Sequence, residues 1–388
     1  MRLDRRTLCG LALTLLTAAA AAQGLGDLGL IVERNSGAVL VVDTDPPAVL
    51  ARIEGLGDLS HATAVFSPDM RHAFVFARDG GLSKLDLLER RLVKRIVQAG
   101  NSIGGAISED GRLLAVANYE PGGVNLFTTD TLEAVGEIPA VDGQGRRSKV
   151  VGLEDAPGNR FVYSLFEAGE IRLLDAATRP PRVVGRHPAG RQPYDGLVTP
   201  DGRYYLAGLF GEDGVDVLDL WNPEKGLRRV LPEYGRGERR LPVYKMPHLE
   251  GWAEAGGRLF LPGVGRHELF VVDRRDFSVV ARVPLHGQPV FAVAQPDGRR
   301  VWVNFAPPHN DTVQVVDAES LETIATLKPG KGVLHMEFTP RGGRVWLSVR
   351  DENRVRIYDT QRLEAVGELP AREPSGIFFT ARAHRIGL

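Results

Sequence analysis

The sequence contains almost no cysteine. Cys9 is the only one among 388 residues, and it lies in an N-terminal segment that we expect to be cleaved. The mature protein then has no disulfide, no thiolate ligand and no Cys-x-x-Cys-His run for a covalent haem. Zinc-ligand spacings, nucleophile elbows, phosphate-binding loops and calcium-binding runs are also missing. The sequence therefore gives no support to the enzyme classes that these motifs define.

Neither sign of charge is in excess. The 48 Lys and Arg side chains face 49 Asp and Glu side chains, which gives a formal net charge of −1. General nucleic-acid binding requires a surplus of positive charge, so no nucleic-acid partner is predicted. Beyond the N-terminal segment no apolar run reaches the length of a bilayer span, and we predict no membrane span.

The N-terminal residues have the composition of a secretion signal. The basic and polar run MRLDRRTLCG precedes the apolar run LALTLLTAAAAA, whose small residues suit cleavage after Ala22. The pair Arg5-Arg6 resembles the twin-arginine export signal, and an ordinary secretory signal is the alternative. We therefore predict a signal peptide at 1–22, a single mature domain at 23–388, and a periplasmic location.

A pattern of about forty residues repeats along the rest of the chain. VFSPDMRHAFVFARDGGLSKLDL, LVTPDGRYYLAGLFGEDGVDVLDL and EFTPRGGRVWLSVRDENRVRIYD are three of the copies. Each contains an apolar strand, a Pro-Asp-Gly type turn, a second β-rich strand, another turn and a third strand that ends near Asp. A charged fourth strand follows. Four strands per repeat of this length are typical of a β-propeller blade.

The repeat predicts eight blades. Their first strands begin near His61, Ser102, Lys149, Pro193, Pro247, Pro289, Val333 and Pro374. Only one strand follows the last of these starts, whereas the mature N-terminus offers three, LGLIVERN, AVLVVDTD and AVLARIEG. One strand plus three completes a blade. The predicted fold is an all-β, eight-bladed β-propeller that is closed by pairing of N- and C-terminal strands.

The first strand of each blade lines the central channel of a propeller, so the residues at its start gather around one mouth. These threshold positions hold His61, Ser102, Lys149, Tyr194 with Asp195, His248 with Glu250, Val290 with Phe291, His335 and Ser375. Imidazole, carboxylate and phenol groups in one place are candidates for ligand binding and acid/base chemistry. A threshold histidine that only caps a turn or bonds a backbone carbonyl is the alternative.

Basic residues also precede these strands. They are Arg146, Arg147, Lys149, Arg191, Lys245, Lys331 and Arg372. One interpretation is a solvated rim, and the other is a cationic collar for a ligand with several carboxylates, because such charges form strong bonds with carboxylate oxygens. A mouth with imidazoles, a basic collar and aromatic residues suits a flat, polyanionic metal chelate such as a tetrapyrrole.

The segment SHATAVFSPDMRHAFVFARDGGLSKLDLLE is similar to part of the haem d1 domain of cytochrome cd1 nitrite reductase. QPYDGLVTPDGRYYLAG, MPHLEGW and EPSGIFFT extend the similarity over nearly the whole mature chain. The resemblance implies that His61 is the axial ligand of the haem iron and that Arg78 contacts the macrocycle's carboxylates. Tyr194 stands where the reductase has one distal histidine, His248 lies near the second, and the cytochrome c domain is missing. In these respects the chain resembles the NirF family of haem d1 biosynthesis proteins.

The resemblance implies a periplasmic protein that is required for haem d1 biosynthesis and binds haem d1 or a late precursor at the channel mouth. One hypothesis is an enzyme that dehydrogenates the bound macrocycle. Its acid/base candidates are Tyr194, Asp195, His248 and Glu250, and its binding candidates are His61, Arg78, Lys149, Arg191, Lys245 and His335.

The second hypothesis is a carrier that delivers the cofactor to nitrite reductase, which is an expected partner together with other haem d1 assembly proteins. It needs the binding candidates but no base. A third, a surface interaction protein or lactonase without a tetrapyrrole, is disfavoured by the histidine set and the export signal.

Overall fold

The computed structural model describes residues 24–235, 251–263 and 265–381. The predicted signal peptide at 1–22 lies outside these ranges, as do the candidate residues Lys245, His248 and Glu250. In the described part of the chain, no helix has the length and apolar character needed to cross a bilayer. Short 3₁₀ turns lie at Leu25–Asp27, Pro223–Lys225 and Arg350–Glu352.

The described residues form eight four-stranded antiparallel sheets. The first half of the chain contains β1 (Leu28–Glu33), β2 (Ala38–Thr44), β3 (Pro47–Ile53), β4 (Thr63–Phe66), β5 (His72–Phe76), β6 (Gly81–Asp86), β7 (Arg91–Val97), β8 (Asn101–Ile107), β9 (Leu113–Glu120), β10 (Gly123–Thr128), β11 (Ala134–Ile138), β12 (Val150–Ala156), β13 (Arg160–Leu165), β14 (Glu170–Asp175) and β15 (Arg182–Pro188). The second half contains β16 (Pro193–Val198), β17 (Tyr204–Leu209), β18 (Val215–Asp219), β19 (Leu227–Val230), β20 (Ala253–Ala255), β21 (Arg258–Gly263), β22 (Glu268–Asp273), β23 (Val279–Pro284), β24 (Pro289–Ala294), β25 (Arg300–Phe305), β26 (Val313–Asp317), β27 (Thr323–Leu327), β28 (Val333–Phe338), β29 (Arg344–Val349), β30 (Arg354–Asp359), β31 (Glu364–Pro370) and β32 (Pro374–Phe379). The eight-bladed propeller that the repeat predicts is confirmed.

The sheets are arranged around a central axis. First strands of neighbouring blades contact each other, as β4 and β8, β12 and β16, and β28 and β32 do. The fourth strands are the most exposed, and β31 shows side chains to solvent along nearly its whole length. First strands therefore line the channel and fourth strands form the outer edge of the disc.

The ring closes as the sequence predicts. One sheet has the order β3-β2-β1-β32, so a strand from the C-terminal end of the propeller pairs with β1. Gly29 lies opposite Phe379 and Leu30 opposite Phe378. The Thr380 N–H donates to the Leu28 carbonyl at 3.0 Å. No sheet edge is left open at this junction.

The Pro-Asp-Gly turns have a local cause. Thr199 Oγ1 donates to Asp201 Oδ1 at 2.6 Å, and the Gly202 N–H donates to the Thr199 carbonyl at 2.7 Å. Gly202 has φ of 67°, a left-handed conformation that glycine adopts without strain. In the copy SPDM the same position is Met70, with φ of 60°. The turn is thus encoded by the hydroxyl, the aspartate and a residue that tolerates positive φ.

The core lies between blades, because each sheet buries its faces against its two neighbours. Apolar clusters fill all eight blade interfaces in the described residues. At the closing interface, the fully buried rings of Trp346 and Phe379 meet edge to face with centroids 5.3 Å apart. This packing joins β29 to the terminal strand β32.

Replacing Phe379 with Ala tests how much the closure contributes. The ring is fully buried between the closing blade and its neighbour, so its removal should lower the free energy of unfolding by about 3–5 kcal/mol. Val366→Ala, on the exposed strand β31, is the matched control and should change it by about 0.5 kcal/mol or less. The measurement is denaturant-induced unfolding, and equal midpoints for the two variants would contradict the stabilising role of the closure.

Candidate functional site

A β-bulge interrupts most first strands close to where they begin. In β16 the ladder passes from Pro193 opposite Leu209 to Gly196 opposite Ala207, so Tyr194 and Asp195 face a single residue of β17. In β12, β24, β28 and β32, two residues likewise face one residue of the second strand. In β8 a single extra residue lies between Ser102 and Gly104. Bulges change the direction of side chains and are frequent beside functional sites. The bulged pairs include Val290 with Phe291 and Leu334 with His335.

A second set of residues lies at the same mouth, at the ends of the second strands, six positions after the residue that follows the turn. In five blades the N–H of such a residue donates to the carbonyl just before the first strand of its own blade, as Phe210 does to Gln192 at 2.8 Å and Arg350 to Gly332 at 3.1 Å. Arg78 donates instead to Asp58, and Tyr119 is the last residue but one of β9. Residues at this position are Arg34, Arg78, Tyr119, Phe166, Phe210, Ala306 and Arg350. In the remaining blade the position lies outside the described residues. We call this set the mouth ring.

The mouth ring is divided into two chemical halves. In blade order, Arg350, Arg34 and Arg78 follow one another, and Tyr119, Phe166 and Phe210 come next. Three consecutive blades therefore present guanidinium groups and the next three present aromatic rings. A ligand that contacts the whole ring meets positive charge along one side and aromatic rings along the other.

The aromatic half is in close contact with the threshold residues. The Phe166 ring lies 5.9 Å from the Tyr194 ring in an edge-to-face arrangement and 6.0 Å from the Phe210 ring. Lys149 Nζ lies 5.4 Å from the Phe166 centroid and 6.0 Å from the Tyr119 centroid. Threshold and mouth-ring residues from three consecutive blades thus form one continuous surface.

Two phenols form the polar centre of this surface. The hydroxyl oxygens of Tyr119 and Tyr194 are 2.7 Å apart, a short hydrogen bond between two blades. Burial raises the pKa of Tyr119 above its ordinary value, and the neighbouring Tyr194 and Asp195 raise it further. Burial also raises the pKa of Tyr194, whereas the hydrogen bond from Tyr119 and the charge of Arg78 lower it. Both phenols are therefore neutral hydrogen-bond donors at physiological pH.

Arg78 is held at the mouth by the turn that follows it. Asp79 accepts hydrogen bonds from the Asp58 and Gly81 N–H groups and from Arg95, at 3.3, 3.0 and 2.6 Å. Gly80 has φ of 78°, and a Cβ on it would lie 1.9 Å from the Ala99 carbonyl oxygen. Asp79 and Gly80 are therefore structural requirements of the turn that positions the Arg78 guanidinium.

The segment of His61 is tied to the same turn. The Arg78 N–H donates to the Asp58 carbonyl at 2.8 Å, and Asp58 Oδ1 accepts the Ser60 N–H at 2.8 Å. Hydrogen bonds from Ser60 lower the pKa of the Asp58 carboxyl, with smaller contributions from the charges of Arg78 and Arg34. His61 follows directly and is exposed.

His61 and His335 do not occupy equivalent positions, although the sequence pattern groups them. The turn after each first strand gives a common reference point. The Ser67 N–H donates to the His72 carbonyl and the Thr339 N–H to the Arg344 carbonyl, both at 2.9 Å. His61 lies six residues before Ser67, whereas His335 lies four before Thr339. The β-bulge, and not the strand start, therefore positions His335.

The two ring nitrogens of His335 have different roles. Its Nδ1 accepts the Ile377 N–H at 3.3 Å, and a neutral imidazole with this acceptor carries its proton on Nε2. The ring packs near Phe378 and Phe291, with centroids 5.6 and 6.4 Å away. The Nδ1 lone pair of His335 is thus engaged by the Ile377 N–H and is not offered to a metal.

The predicted collar carries less available charge than the sequence suggests. Lys149 forms a salt bridge with Glu167, and Arg191 pairs with Glu212 at 3.3 Å. Burial raises the pKa of the Glu167 carboxyl, but its hydrogen bonds with Lys149 lower it, so that the pKa stays below its ordinary value. These acidic residues belong to turns that follow the second strands, whereas the basic residues precede the first strands.

Sequence reasoning missed Tyr119, Phe166, Phe210, Arg34 and Arg350. The signal was present, because ARDGG, NYEPGG, LFEAGE, LFGEDG and VRDENR occupy the same place in the repeat. Aligning second-strand ends as well as first-strand starts identifies these residues. The structure shows why both positions matter: they meet at one mouth.

Three comparisons place this architecture among known proteins. The sequence profile of the family described as "Cytochrome D1 heme domain" matches residues 23–383. "Protein NirF" of Pseudomonas aeruginosa is 57% identical over 100% of both chains, and "Protein NirF" of Stutzerimonas stutzeri is 55% identical over 94% of both chains. The solved structure "Dihydro-heme d1 dehydrogenase NirN in complex with DHE" is 28% identical with a TM-score of 0.81, and the match covers 95% of this chain and 78% of that one. The chain therefore belongs to the cytochrome D1 heme domain family and, within it, to the group of NirF proteins.

Proposed function

We propose that this protein acts in haem d1 biosynthesis, where it binds haem d1 or a late precursor at the channel mouth and dehydrogenates it. The observation that carries the proposal is the division of the mouth ring into a guanidinium half and an aromatic half. A tetrapyrrole with carboxylate side chains is flat, apolar in its ring and anionic at its periphery. The family match and the 28% identical dehydrogenase structure support the same ligand class.

The donor set fits this ligand group by group. The guanidinium groups of Arg34, Arg78 and Arg350 would bind carboxylates, for which planar charged donors are well suited. Phe166 and Phe210 would contact the conjugated ring. Imidazole is a common axial ligand of haem iron, and the exposed His61 is our assignment for that role, while His335 would donate a hydrogen bond from Nε2.

Acid/base chemistry would come from the bulge of β16. Dehydrogenation of a saturated carbon pair removes two protons and two electrons and leaves a double bond. The Asp195 carboxylate accepts the first proton in this assignment and the second leaves to water at the mouth, while the neutral Tyr194 hydroxyl donates a hydrogen bond that orients the substrate. Two electrons would leave one at a time to a soluble one-electron carrier protein.

A carrier that delivers the macrocycle to nitrite reductase would use the same mouth ring. It needs the arginines, the aromatic rings and His61, but neither Tyr194 nor Asp195. The phenol pair favours the enzyme, because its pKa values are perturbed and such groups concentrate at catalytic sites. Substituting Tyr194 separates the two functions.

Location in the periplasm forms part of the proposal. It rests on the basic and apolar runs before Gln23. Fractionation of cells and N-terminal sequencing of the purified protein test it, and a mature chain that begins at Met1 would contradict it.

Removing the His61 imidazole tests the axial ligand. His61→Ala should fold, bind haem d1 and lack the absorption spectrum of a histidine-ligated iron. His187→Ala, in the outer strand β15, is the control and should keep that spectrum. A wild-type spectrum from His61→Ala would remove this residue as the ligand.

The guanidinium half of the mouth ring should contribute most of the affinity for haem d1. Arg78→Met keeps an aliphatic stem and removes one charge-assisted contact, which should weaken haem d1 binding by about 1.5–3 kcal/mol, or roughly 10–150-fold. Lys149→Met should weaken haem d1 binding by about 1 kcal/mol or less, because Glu167 already pairs with this lysine. Equilibrium titration of the pigment gives both values.

Arg112→Met provides the control for charge removal, because Arg112 is exposed in the turn between β8 and β9, at the opposite end of the blade. Its affinity should equal that of the wild type. If Arg78→Met binds as tightly as Arg112→Met, the ligand does not contact the guanidinium half.

Tyr194→Phe separates the enzyme from the carrier. The variant lacks one hydroxyl, so binding should stay within about threefold while conversion of the precursor falls by about 100-fold. Tyr204→Phe, whose ring packs on Phe277 at the other end of the blade, is the control and should convert at the wild-type rate. Mass spectrometry of the pigment over time, with an electron acceptor present, measures conversion. Equal conversion by both variants would favour the carrier.

A further inference from the structure

Two histidines outside the channel mouth are in direct contact. His286 lies in the loop between β23 and β24, and His309 in the loop between β25 and β26. Their ring centroids are 4.2 Å apart and their planes meet at 66°. Neither residue has a role in the proposed reaction. Both loops lie at the same face of the disc as the starts of the first strands.

We propose that His286 and His309 form a binding site for a divalent transition-metal ion of the copper and zinc class. Neutral imidazole is a preferred ligand of these ions, and the two rings come from separate loops that converge. The proposal is independent of macrocycle binding, since it involves neither the mouth ring nor the threshold residues.

The distance between the His286 and His309 ring centroids is close to that expected for two imidazoles bound to one metal ion. With metal–nitrogen distances of about 2.0–2.1 Å and an angle of about 90–109° at the metal, ring centroids of two ligating imidazoles lie about 4.5–5.2 Å apart. The rings would therefore move apart by about 1 Å or less on binding. Side-chain rotation alone can supply this movement.

Both backbones are fixed from several sides. The His286 N–H donates to Gln314 Oε1 at 2.9 Å. The His309 N–H donates to the Ala306 carbonyl at 3.0 Å, and the His309 carbonyl accepts the Thr312 N–H at 3.1 Å. These bonds fix the two backbones without a metal, which lowers the entropy that binding must overcome.

Glycine permits the contact. A Cβ on Gly287 would lie 2.7 Å from His309 Cδ2, so any larger residue would displace that ring. Packing of the Phe305 ring edge-on at 6.3 Å holds His286 from the other direction. The pair is thus confined to a small range of positions in which the two rings meet edge to face.

Water would complete the coordination. In residues 24–235, 251–263 and 265–381, no group of three or more His, Cys, Asp and Glu side chains is arranged to hold a metal. The carboxylate two residues along from His309, Asp311, already bonds Lys328 at 3.0 Å and Thr312 at 2.7 Å. A two-imidazole site with exchangeable water positions is therefore expected.

The test uses the mature chain without an affinity tag, because a histidine tag would bind the same ions. Titration with Cu²⁺ and Zn²⁺ should show one site per chain, and Mg²⁺ should not bind there because it prefers oxygen ligands. The Cu²⁺ electron paramagnetic resonance spectrum should show coupling to two imidazole nitrogens.

His286→Ala and His309→Ala should each weaken binding at least tenfold, and the double variant should be no weaker than the weaker single one. His267→Asn is the matched control, because this residue lies in the adjacent turn with its carbonyl bonded to the Leu285 N–H, and it should bind as the wild type does. Unchanged melting temperatures confirm that the variants fold. Wild-type affinity in either alanine variant overturns the proposal and leaves the pair as a ring contact only.

Discussion

Everything at the mouth depends on the closure of the ring by β1 and β32. Strands from the two ends of the propeller pair, and this fixes the number of blades and the angle between them. The junction is tightly specified, since a Cβ on Gly29 would lie 2.5 Å from the Phe379 ring. A residue with any side chain there would push the terminal strand away. Closure converts eight separate first strands into the wall of one channel.

The repeat then places two residue positions of each blade at the same mouth. The bulge in the first strand turns side chains such as Tyr194 and Asp195 from the regular ladder, and the second strand ends beside it. Blades therefore share a backbone but differ in what they present. The mouth is asymmetric, because three consecutive blades present guanidinium groups and the next three present aromatic rings. An asymmetric ligand therefore has one favoured orientation.

Hydrogen bonds within and between blades decide which polar groups are available to a ligand. Lys149 and Arg191 lie where a collar requires them, but each bonds a carboxylate of a neighbouring turn. Tyr119 and Tyr194 bond each other at the mouth from two blades that are separated by a third, and burial keeps both phenols neutral. In the mouth ring Arg350 also bonds a carboxylate, that of Asp351 at 2.6 Å, so the available charge lies mainly with Arg34 and Arg78, and the available proton donor with the phenol pair.

The sequence alone determined the architecture. The length of the repeat and the residues of its turns are local patterns, which each strand and turn encodes without reference to distant residues. Counting strands at the two termini then shows that they share one blade. These patterns were enough to predict eight blades, the closing strand and the threshold positions of Tyr194, Asp195 and His335. The signal peptide and the assignments to Lys245, His248 and Glu250 stay predictions from sequence.

Only the tertiary structure decided which side chains meet. The Tyr119 and Tyr194 bond, the pairing of Lys149 with Glu167, and the contact of His286 with His309 each join residues of different strands or blades. Their distances follow from register, bulges and the angle between blades, and a one-residue shift in any of these would separate the groups. A repeat pattern fixes the position of a residue within its blade, whereas chemistry at the mouth depends on the packing between blades.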